Sequence, residues 1–312
     1  MKGWLTLQIK ENYEIKNDST FRIGGTIKKV ALPDTIEELI EILKSNEYEL
    51  ILGNCSNVLF SSNLINKNII ITKNVSDYKI EGKTVYVSAG TRGPIVAKDC
   101  QKLGLTGFEF LVGFPGSFGG MIYMNASAHN QAIADTFVSA RVFNLKTKEI
   151  ETFSKEDMKF EYRKSSISNG TYIVLDAIFE LKQGNQEQID EIIKRNIEFR
   201  KNRQPSLKQG NAGSTFKNPE NDSAGRLLDL CEFKGVKEGG AMVFENHANF
   251  VVNYDNATSM DVLTLMFKMY SKVKEKYRII LEPEIKYIGD KGTQEYKLWE
   301  LMKQENTKMI QK

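Results

Sequence analysis

Histidine and cysteine are both scarce in this chain. Among 312 residues there are two histidines, His129 and His247, too few for a histidine metal site or a Ser-His-Asp triad. The three cysteines, Cys55, Cys100 and Cys231, are odd in number and lack the spacing of a zinc site, which is typical of a reducing compartment. Two common classes of enzyme are therefore disfavoured from the outset.

Long apolar runs and an excess of one charge are also missing. No apolar run approaches the ~20 residues that a membrane helix needs, and residues 1–10 lack the apolar core of a signal peptide. Lysine and arginine number 43 against 40 acids, so the net charge of +3 gives no argument for nucleic acid or an acidic membrane as partner. We therefore expect a cytoplasmic globular protein, long enough for two or three domains.

Helical and strand patterns are mixed along the chain without a regular βαβ rhythm, which favours an α+β fold over a doubly wound sheet. Apolar periodicity and capping residues predict helices at 36–43, 94–103, 186–203 and 258–277. Apolar and alternating runs predict strands at 49–52, 69–72, 84–88, 136–145 and 171–181. Asp34 or Thr35 is expected to cap the first helix, with Glu38 completing a capping box.

The segment from Asn211 to Pro219 is the most informative stretch. Gly213 permits a tight bend beside the small hydroxyl of Ser214. Lys217 suits a phosphate, and Asn218 suits an amide, sugar or base edge. The pattern alone is equally compatible with a surface loop.

Two glycine-rich loops accompany this segment. Residues 53–57 follow an apolar strand, and residues 113–120 contain four glycines. Each is either an ordinary turn or a backbone nest for an anion, and together they indicate a large ligand with a pyrophosphate. The chain contains neither a G-x-G-x-x-G after a strand nor a P-loop sequence.

Three further polar positions stay ambiguous from the residues alone. Arg163 is either a surface arginine or a clamp for a carboxylate or phosphate. Glu284 belongs to a Glu-Pro-Glu sequence whose carboxylates are usually solvent-facing, and His247 is more typical of a structural histidine. The charged tail after residue 293 carries Tyr296 among its apolar residues and is either a docked helix or partly disordered.

Taken in order, these segments resemble the UDP-N-acetylenolpyruvoylglucosamine reductases, flavoenzymes of peptidoglycan precursor synthesis. The resemblance runs from about Ser19 to Gly289. It is carried by residues 20–25, 53–57, 113–128, 162–163, 204–205, 212–219, 247–250 and 281–289. Arg163 and Ser214 are 51 positions apart, which is similar to the shorter family branch without an extra tyrosine-bearing loop.

The resemblance implies a fold and cofactors. It implies a vanillyl-alcohol-oxidase/p-cresol-methylhydroxylase-type FAD-binding domain in two lobes, 1–75 and 76–185, then a C-terminal α+β substrate domain, 186–290, and a charged tail, 291–312. FAD is expected to bind non-covalently, with NADPH or NADH as co-substrate and a nucleotide sugar as substrate. We expect a monomer without a metal.

The resemblance also implies which residues act. The catalytic residues are Arg163, Ser214 and Glu284; the cofactor-binding residues are Gly53, Asn54, Cys55, Ser56, Asn57, Gly113, Gly116, Ser117, Gly119 and Gly120; the substrate-binding residues are Lys217, Asn218 and Tyr162. Arg163 would stabilise the enolate that forms when the enolpyruvyl double bond is reduced. Glu284 would share that task only if protonated or partnered, and Ser214 would supply the proton.

The chain departs from the family pattern at three places. Cys55 and Ser127 stand where glycine is usual, and Phe244-Glu245 replaces a Val-Ser neighbourhood. If position 55 needs a positive φ, cysteine there costs on the order of 1 kcal/mol or more. Because the three catalytic positions are intact, an active enzyme is favoured over a degenerate paralogue. Two alternatives to the reductase stay open: a flavin oxidase of the same fold acting on another substrate, and a flavin- or nucleotide-sugar-binding protein without turnover.

Overall fold

The computed structural model describes residues 7–206 and 208–310. The α-helices of this part are α1 (Ile36–Lys44), α2 (Gly93–Lys102), α3 (Phe118–Tyr123), α4 (Ile133–Thr136), α5 (Lys155–Met158), α6 (Gln186–Arg203), α7 (Ala224–Asp229), α8 (Ser259–Tyr277) and α9 (Gln294–Ile310). Residues 1–6, part of the segment for which no signal peptide is expected, and residues 311–312 of the predicted tail lie outside the described residues.

The strands are short and many. They are β1 (Gln8–Glu14), β2 (Thr26–Leu32), β3 (Leu50–Leu52), β4 (Val58–Phe60), β5 (Ile65–Ile71), β6 (Tyr78–Glu81), β7 (Thr84–Ser88), β8 (Leu105–Thr106), β9 (Ser127–Ala128), β10 (Gln131–Ala132), β11 (Phe137–Asn144), β12 (Ile150–Ser154), β13 (Tyr172–Glu180), β14 (Lys182–Gln183), β15 (Lys237–Glu238), β16 (Ala241–Val243), β17 (Val251–Asn253) and β18 (Lys286–Ile288). Within the described residues, three 3₁₀ helices cover Thr72–Asn74, Glu109–Leu111 and Ser166–Asn169. The predicted α+β class is confirmed.

The start of α1 corrects one detail of the predicted capping. Thr35 is the N-cap, and its Oγ1 accepts the Glu38 N–H at 3.1 Å. The Glu38 carboxylate, however, accepts the N–H of Asp34 at 2.8 Å, one residue before the cap. The reciprocal bond of a capping box is thus displaced by one residue, to the N–H that precedes the cap.

Helix α8 follows its sequence pattern closely. Thr258 caps it, accepting the Asp261 N–H while the Asp261 carboxylate accepts the Thr258 N–H. The apolar stripe, which includes Met266 and Met269, is buried in the core of its unit. The methionines are therefore core residues, as the helical spacing predicted.

The chain divides into two compact units whose segments alternate along the sequence. Of the described residues, the first unit comprises 7–11, 29–54 and 68–198, and the second comprises 12–28, 55–67, 199–206 and 208–310. The lobes 1–75 and 76–185 and the domain 186–290 stay predictions.

The first unit is built around an antiparallel sheet of order β12-β11-β13-β7-β6. The rings of Phe108, Phe118 and Phe179 pack with centroids 5.3–5.7 Å apart in its core. Because these rings bury large apolar areas, they fix α3 and the loop before it against the sheet.

The second unit packs α8 and α9 with the sheet β15-β16-β17. In α9, Trp299 and Met302 are buried, so the tail is a helix that docks through these two side chains. The buried Glu295 carboxylate of this helix accepts hydrogen bonds from Ser61, Ser259 and Tyr287 at 2.5–2.6 Å. Apolar burial and the hydrogen bonds of this buried side chain both hold the helix in place.

Two features are absent from the described part of the chain. No helix in residues 7–206 and 208–310 is long and apolar enough to cross a membrane. Within the same residues, no group of three or more histidine, cysteine, aspartate or glutamate side chains is placed to hold a metal ion.

Candidate functional site

In the first unit, the starts of the two predicted cofactor loops come together. Asn54 Nδ2 donates a hydrogen bond of 2.5 Å to the carbonyl of Pro115. Gly53 lies so close to Ser117 that a Cβ on it would collide with the Ser117 Oγ. A side chain at position 53 would force the Ser117 hydroxyl to move, so the close approach favours glycine there.

Ser117 is a buried hydroxyl placed between these loops. Its side chain is 1% exposed, and its Oγ has no hydrogen-bond partner among the described residues. A buried hydroxyl without a hydrogen bond lowers the stability of the folded protein by about 1–3 kcal/mol. A polar ligand atom that bonds to the Ser117 hydroxyl would therefore be stabilising. Position 120 is open: a Cβ on Gly120 would meet only the Ser117 Oγ, at 3.9 Å.

The other three glycines of the second loop are explained by the conformation and close packing of the backbone. Gly113 has a φ of +79°, which favours glycine. A side chain at Gly119 would press on Ala89, whose carbonyl accepts the Gly119 N–H at 2.8 Å. Gly116 is closely approached by Phe114 and Met121. A positive φ at one of these glycines and close neighbours at the other two therefore account for all three.

Residues 55–57, the rest of the first loop, belong to the second unit. Cys55 is buried and has a φ of +48°, so the condition under which cysteine is strained is met. Ser56 is partly buried. Asn57 Nδ2 donates to the carbonyl of Glu284 at 3.1 Å, and the Asn57 carbonyl accepts the Lys286 N–H at 2.9 Å. Asn57 thus fixes the backbone around one predicted catalytic residue.

Arg163 lies at the tip of a tight turn in the first unit. Glu161 and Lys164 close the turn by reciprocal backbone hydrogen bonds of 3.0 and 3.3 Å. Arg163 has a φ of +55°, and its guanidinium lies over the ring of Tyr162, 5.1 Å from the centroid. The Tyr162 side chain is 54% exposed. The turn presents both side chains at the surface of its unit.

Two residues of the 113–128 segment hold this turn, although neither was assigned to the site from the sequence. Asn125 Nδ2 donates to the Glu161 carbonyl at 3.0 Å, and Ser127 Oγ accepts from Arg163 Nη1 at 2.6 Å. The family resemblance marked Ser127 only as a departure. No local pattern could indicate a contact across 36 positions.

In the second unit, the chain around Ser214 is pinned by Asn249. Gly213 has a φ of +79° and lets the chain turn into Ser214. The Asn249 carbonyl accepts the Thr215 N–H at 2.8 Å. The Asn249 side chain accepts the Phe216 N–H at 2.9 Å and donates to the Phe216 carbonyl at 2.8 Å. Asn249 belongs to the 247–250 motif and was also missed as a site residue.

The same segment runs antiparallel to the segment that carries Glu284. The Glu284 N–H donates to the Thr215 carbonyl at 2.9 Å, and the Lys217 N–H donates to the Glu282 carbonyl at 2.9 Å. Glu284 is 9% exposed, contrary to the usual behaviour of such a carboxylate. The structure therefore brings the Ser214 and Glu284 segments together, whereas Arg163 lies in the first unit.

The predicted substrate residues of the second unit have protein partners. Lys217 Nζ forms an ion pair of 2.7 Å with Glu282. Asn218 Oδ1 accepts the Ala224 N–H at the start of α7, at 3.1 Å. The amide nitrogen of Asn218 is therefore the group that suits a ligand acceptor.

His247 has a structural role. Its Nδ1 accepts the Asn249 N–H at 3.2 Å, and its ring packs on Phe250 with the centroids 4.9 Å apart. Burial, aided by the charge of Lys234, lowers the pKa of His247 below its usual value. The neutral imidazole supports Asn249 and thereby the Ser214 segment.

Comparison with known proteins identifies relatives over most of the chain. Residues 27–154 match a family model described as FAD binding domain, and residues 204–288 match one described as UDP-N-acetylenolpyruvoylglucosamine reductase, C-terminal domain. Two proteins named UDP-N-acetylenolpyruvoylglucosamine reductase, from Caldicellulosiruptor bescii and Enterococcus faecalis, are each 37% identical to this chain. The matches cover 91% and 92% of this chain and 92% and 95% of those proteins.

A solved structure is also similar to this chain over most of its length. The crystal structure of UDP-N-acetylenolpyruvylglucosamine reductase from Thermus caldophilus matches with a TM-score of 0.77 and 30% identity, covering 90% of this chain and 99% of that one. The predicted FAD-binding domain followed by a C-terminal domain of this reductase family is confirmed.

Proposed function

This chain belongs to the UDP-N-acetylenolpyruvoylglucosamine reductase family, and from that membership we propose that Arg163, Ser214 and Glu284 carry its reaction. The protein is an FAD-dependent oxidoreductase that reduces UDP-N-acetylglucosamine enolpyruvate to UDP-N-acetylmuramate with NAD(P)H, in peptidoglycan precursor synthesis. The observation that supports the site most directly is the pairing of the Ser214 and Glu284 segments.

The residues between the two glycine loops fit an FAD phosphate. Ser117 offers a buried hydroxyl that lacks a partner among the described residues, and Gly53 and Gly120 leave the backbone around it bare. Asn54 holds the two loops together through Pro115. When bound, FAD supplies the hydride that it receives from NAD(P)H. The remaining residues of both loops, Cys55, Ser56, Asn57, Gly113, Gly116 and Gly119, complete the proposed cofactor set.

Arg163 supplies positive charge where negative charge develops. Adding hydride to the methylene carbon of the enolpyruvyl group leaves an enolate on the neighbouring carbon and carboxylate. A guanidinium fixed in advance stabilises this charge better than water, which must reorient. The closed turn and Ser127 restrict the positions that Arg163 occupies.

Ser214 donates the proton that completes the reduction. A serine hydroxyl is a weak acid, so its contribution depends on being held within ~3 Å of the carbon that accepts the proton. The hydrogen bonds on both sides of Ser214, from Gly213 to Asn211 and from Thr215 to Asn249, hold the backbone in that way.

Glu284 acts from a buried position. A bare carboxylate would repel the enolate, so Glu284 contributes in a protonated or partnered form. Its backbone is fixed on both sides, through the bonds to Thr215 and Asn57.

Lys217, Asn218 and Tyr162 bind the nucleotide sugar in this proposal. Lys217 is paired with Glu282, so a substrate phosphate competes with that carboxylate or shares the ammonium with it. Asn218 uses its amide N–H groups, and the exposed Tyr162 ring offers a contact face.

We further propose that the protein acts as a cytoplasmic monomer with no nucleic-acid or membrane partner. Size-exclusion chromatography tests the oligomeric state, and cell fractionation tests the location.

NAD(P)H oxidation by the purified, FAD-loaded protein tests the function. We expect oxidation that depends on added UDP-N-acetylglucosamine enolpyruvate. UDP-N-acetylglucosamine, which lacks the double bond, is the control. NAD(P)H consumption that instead tracks dissolved oxygen and ignores the enolpyruvyl compound would indicate an oxidase, and a protein that does not bind FAD would contradict the proposal.

A further inference from the structure

The Arg163 guanidinium is anchored from outside its own turn by a hydroxyl. Arg163 Nη1 donates a hydrogen bond of 2.6 Å to the Oγ of Ser127, which lies 36 positions earlier. A hydroxyl is a neutral acceptor, so this bond orients the guanidinium and adds no negative charge beside it. Orientation in advance of the reaction is what an arginine needs if it is to act on a developing anion.

Ser127 itself sits on a rigid support. It pairs with Ala132 in the hairpin of β9 and β10. The two residues of its tip, His129 and Asn130, have φ values of +53° and +61°, as in a tight type I′ turn. Directly beside the tip, Gln131 Nε2 donates to the buried carboxylate of Glu109 at 3.0 Å. The hairpin is therefore fixed to the core of the first unit.

The same short segment also holds the backbone of the arginine turn. Asn125 donates to the Glu161 carbonyl at 3.0 Å and accepts the Ala134 N–H at 3.2 Å. Residues 125–127 thus hold both the main chain and the side chain of the turn. An arginine loses much rotamer freedom when it is fixed, and a site that orders it before the substrate arrives avoids that loss during the reaction.

We propose that Ser127 is a positioning residue for the reduction, which acts by holding the Arg163 guanidinium in its working orientation. This rests on the role proposed above for Arg163. The consequence is specific to one half of the catalytic cycle. Loss of the Ser127 hydroxyl slows reoxidation of the flavin by the enolpyruvyl substrate. It leaves the rate of flavin reduction by NAD(P)H unchanged.

Stopped-flow measurement of the two half-reactions tests this with the holoenzyme. In Ser127→Ala we expect substrate-dependent reoxidation of the flavin to slow about ten-fold, because a hydrogen bond to a charged group is lost, while reduction by NAD(P)H stays within about two-fold of wild type. Ser127→Thr, which keeps a hydroxyl, should restore most of the rate. Ser127→Gly is the second variant without a hydroxyl and should behave like alanine.

Ser139→Ala is the matched control, because it removes a partly buried serine hydroxyl from β11 of the same unit. A double variant distinguishes action through Arg163 from a general structural effect. In an Arg163→Ala background, adding Ser127→Ala should change reoxidation by less than about two-fold. A full ten-fold effect there, equal losses in both half-reactions, or the same loss in Ser139→Ala would overturn the proposal.

The outcome for Arg163→Ala alone separates this inference from the proposed function. If that variant reoxidises at the wild-type rate, the catalytic role of Arg163 is wrong and Ser127 loses its role with it. If Arg163→Ala is slow and Ser127→Ala is not, only the positioning role is wrong.

Discussion

The proposed role of Ser214 depends on the atoms that hold its backbone in place. Its hydroxyl is chemically ordinary, and what distinguishes it is a backbone held by Asn211, Asn249 and Glu284 through the residues on either side. The side chain is partly buried. The site therefore uses geometry rather than acidity to make a serine useful.

Replacing Ser214 by alanine tests this directly. We expect Ser214→Ala to retain flavin reduction by NAD(P)H and to lose substrate reduction by roughly 10²-fold or more, because only the proton transfer uses the hydroxyl. Rapid-mixing spectroscopy of each half-reaction is the measurement. Wild-type turnover in this variant would remove Ser214 from its role.

Cys55 is the residue at which backbone strain is most relevant to the cofactor. Its φ of +48° is unfavourable for a side chain and permitted for glycine. We expect Cys55→Gly to bind FAD equally well or more tightly, since the strained turn is relieved by on the order of 1 kcal/mol. Fluorescence titration of the apoprotein measures the affinity, and a clear loss would show that the buried thiol contributes more than the strain costs.

At the scale of single elements, much could be predicted from the sequence. The bounds of α6 and the stripe of α8 follow from a 3.6-residue apolar period, and β7 follows from a short β-branched run between turns. These signals are local. The displaced bond of Glu38 at α1 was not predictable, because it depends on the path of the chain before the helix.

The contacts that hold the candidate residues in place were not predicted from the sequence. Asn249 contacts Phe216 across 33 positions, and Ser127 contacts Arg163 across 36. No periodicity specifies such contacts, since they depend on how the elements pack. For that reason the sequence indicated Ser214 and Arg163 as candidates and missed the side chains that hold them.

Asn249 provides a test of that support. Its side chain makes two buried hydrogen bonds to the backbone of Phe216, so Asn249→Ala should lower the free energy of unfolding by about 2–4 kcal/mol. Substrate reduction should fall more than flavin reduction, because the Ser214 segment loosens. Denaturant unfolding and the separate half-reactions measure the two effects.

Asn249→Asp tests whether the Asn249 amide is needed both as a donor and as an acceptor. The aspartate keeps an acceptor for the Phe216 N–H but faces the Phe216 carbonyl with an oxygen, so it should also destabilise the protein. An aspartate variant as stable as the wild type would contradict the double role of the amide.

At the scale of the whole molecule, FAD is expected to contribute to stability as well as chemistry. A ligand that binds only the folded protein adds about 2.7 kcal/mol at a concentration one hundred times its Kd. We expect removal of FAD to lower the Tm and re-addition to restore it in proportion to the logarithm of the FAD concentration. Calorimetry across a concentration series is the measurement.

Gly53→Ala supplies the control for that series. Its added methyl collides with Ser117 at the proposed phosphate position, so FAD should raise the Tm of this variant much less. A wild-type response would place the phosphate elsewhere.

The parallel pairing of β4 with β18 has a consequence for the synthesis of the protein. Val58, Leu59 and Phe60 pair with Lys286, Tyr287 and Ile288, near opposite ends of the chain. During translation these buried residues emerge long before their partner strand exists. The second unit therefore completes its fold only after residue 288 has left the ribosome, and until then a short apolar strand must be shielded from other chains.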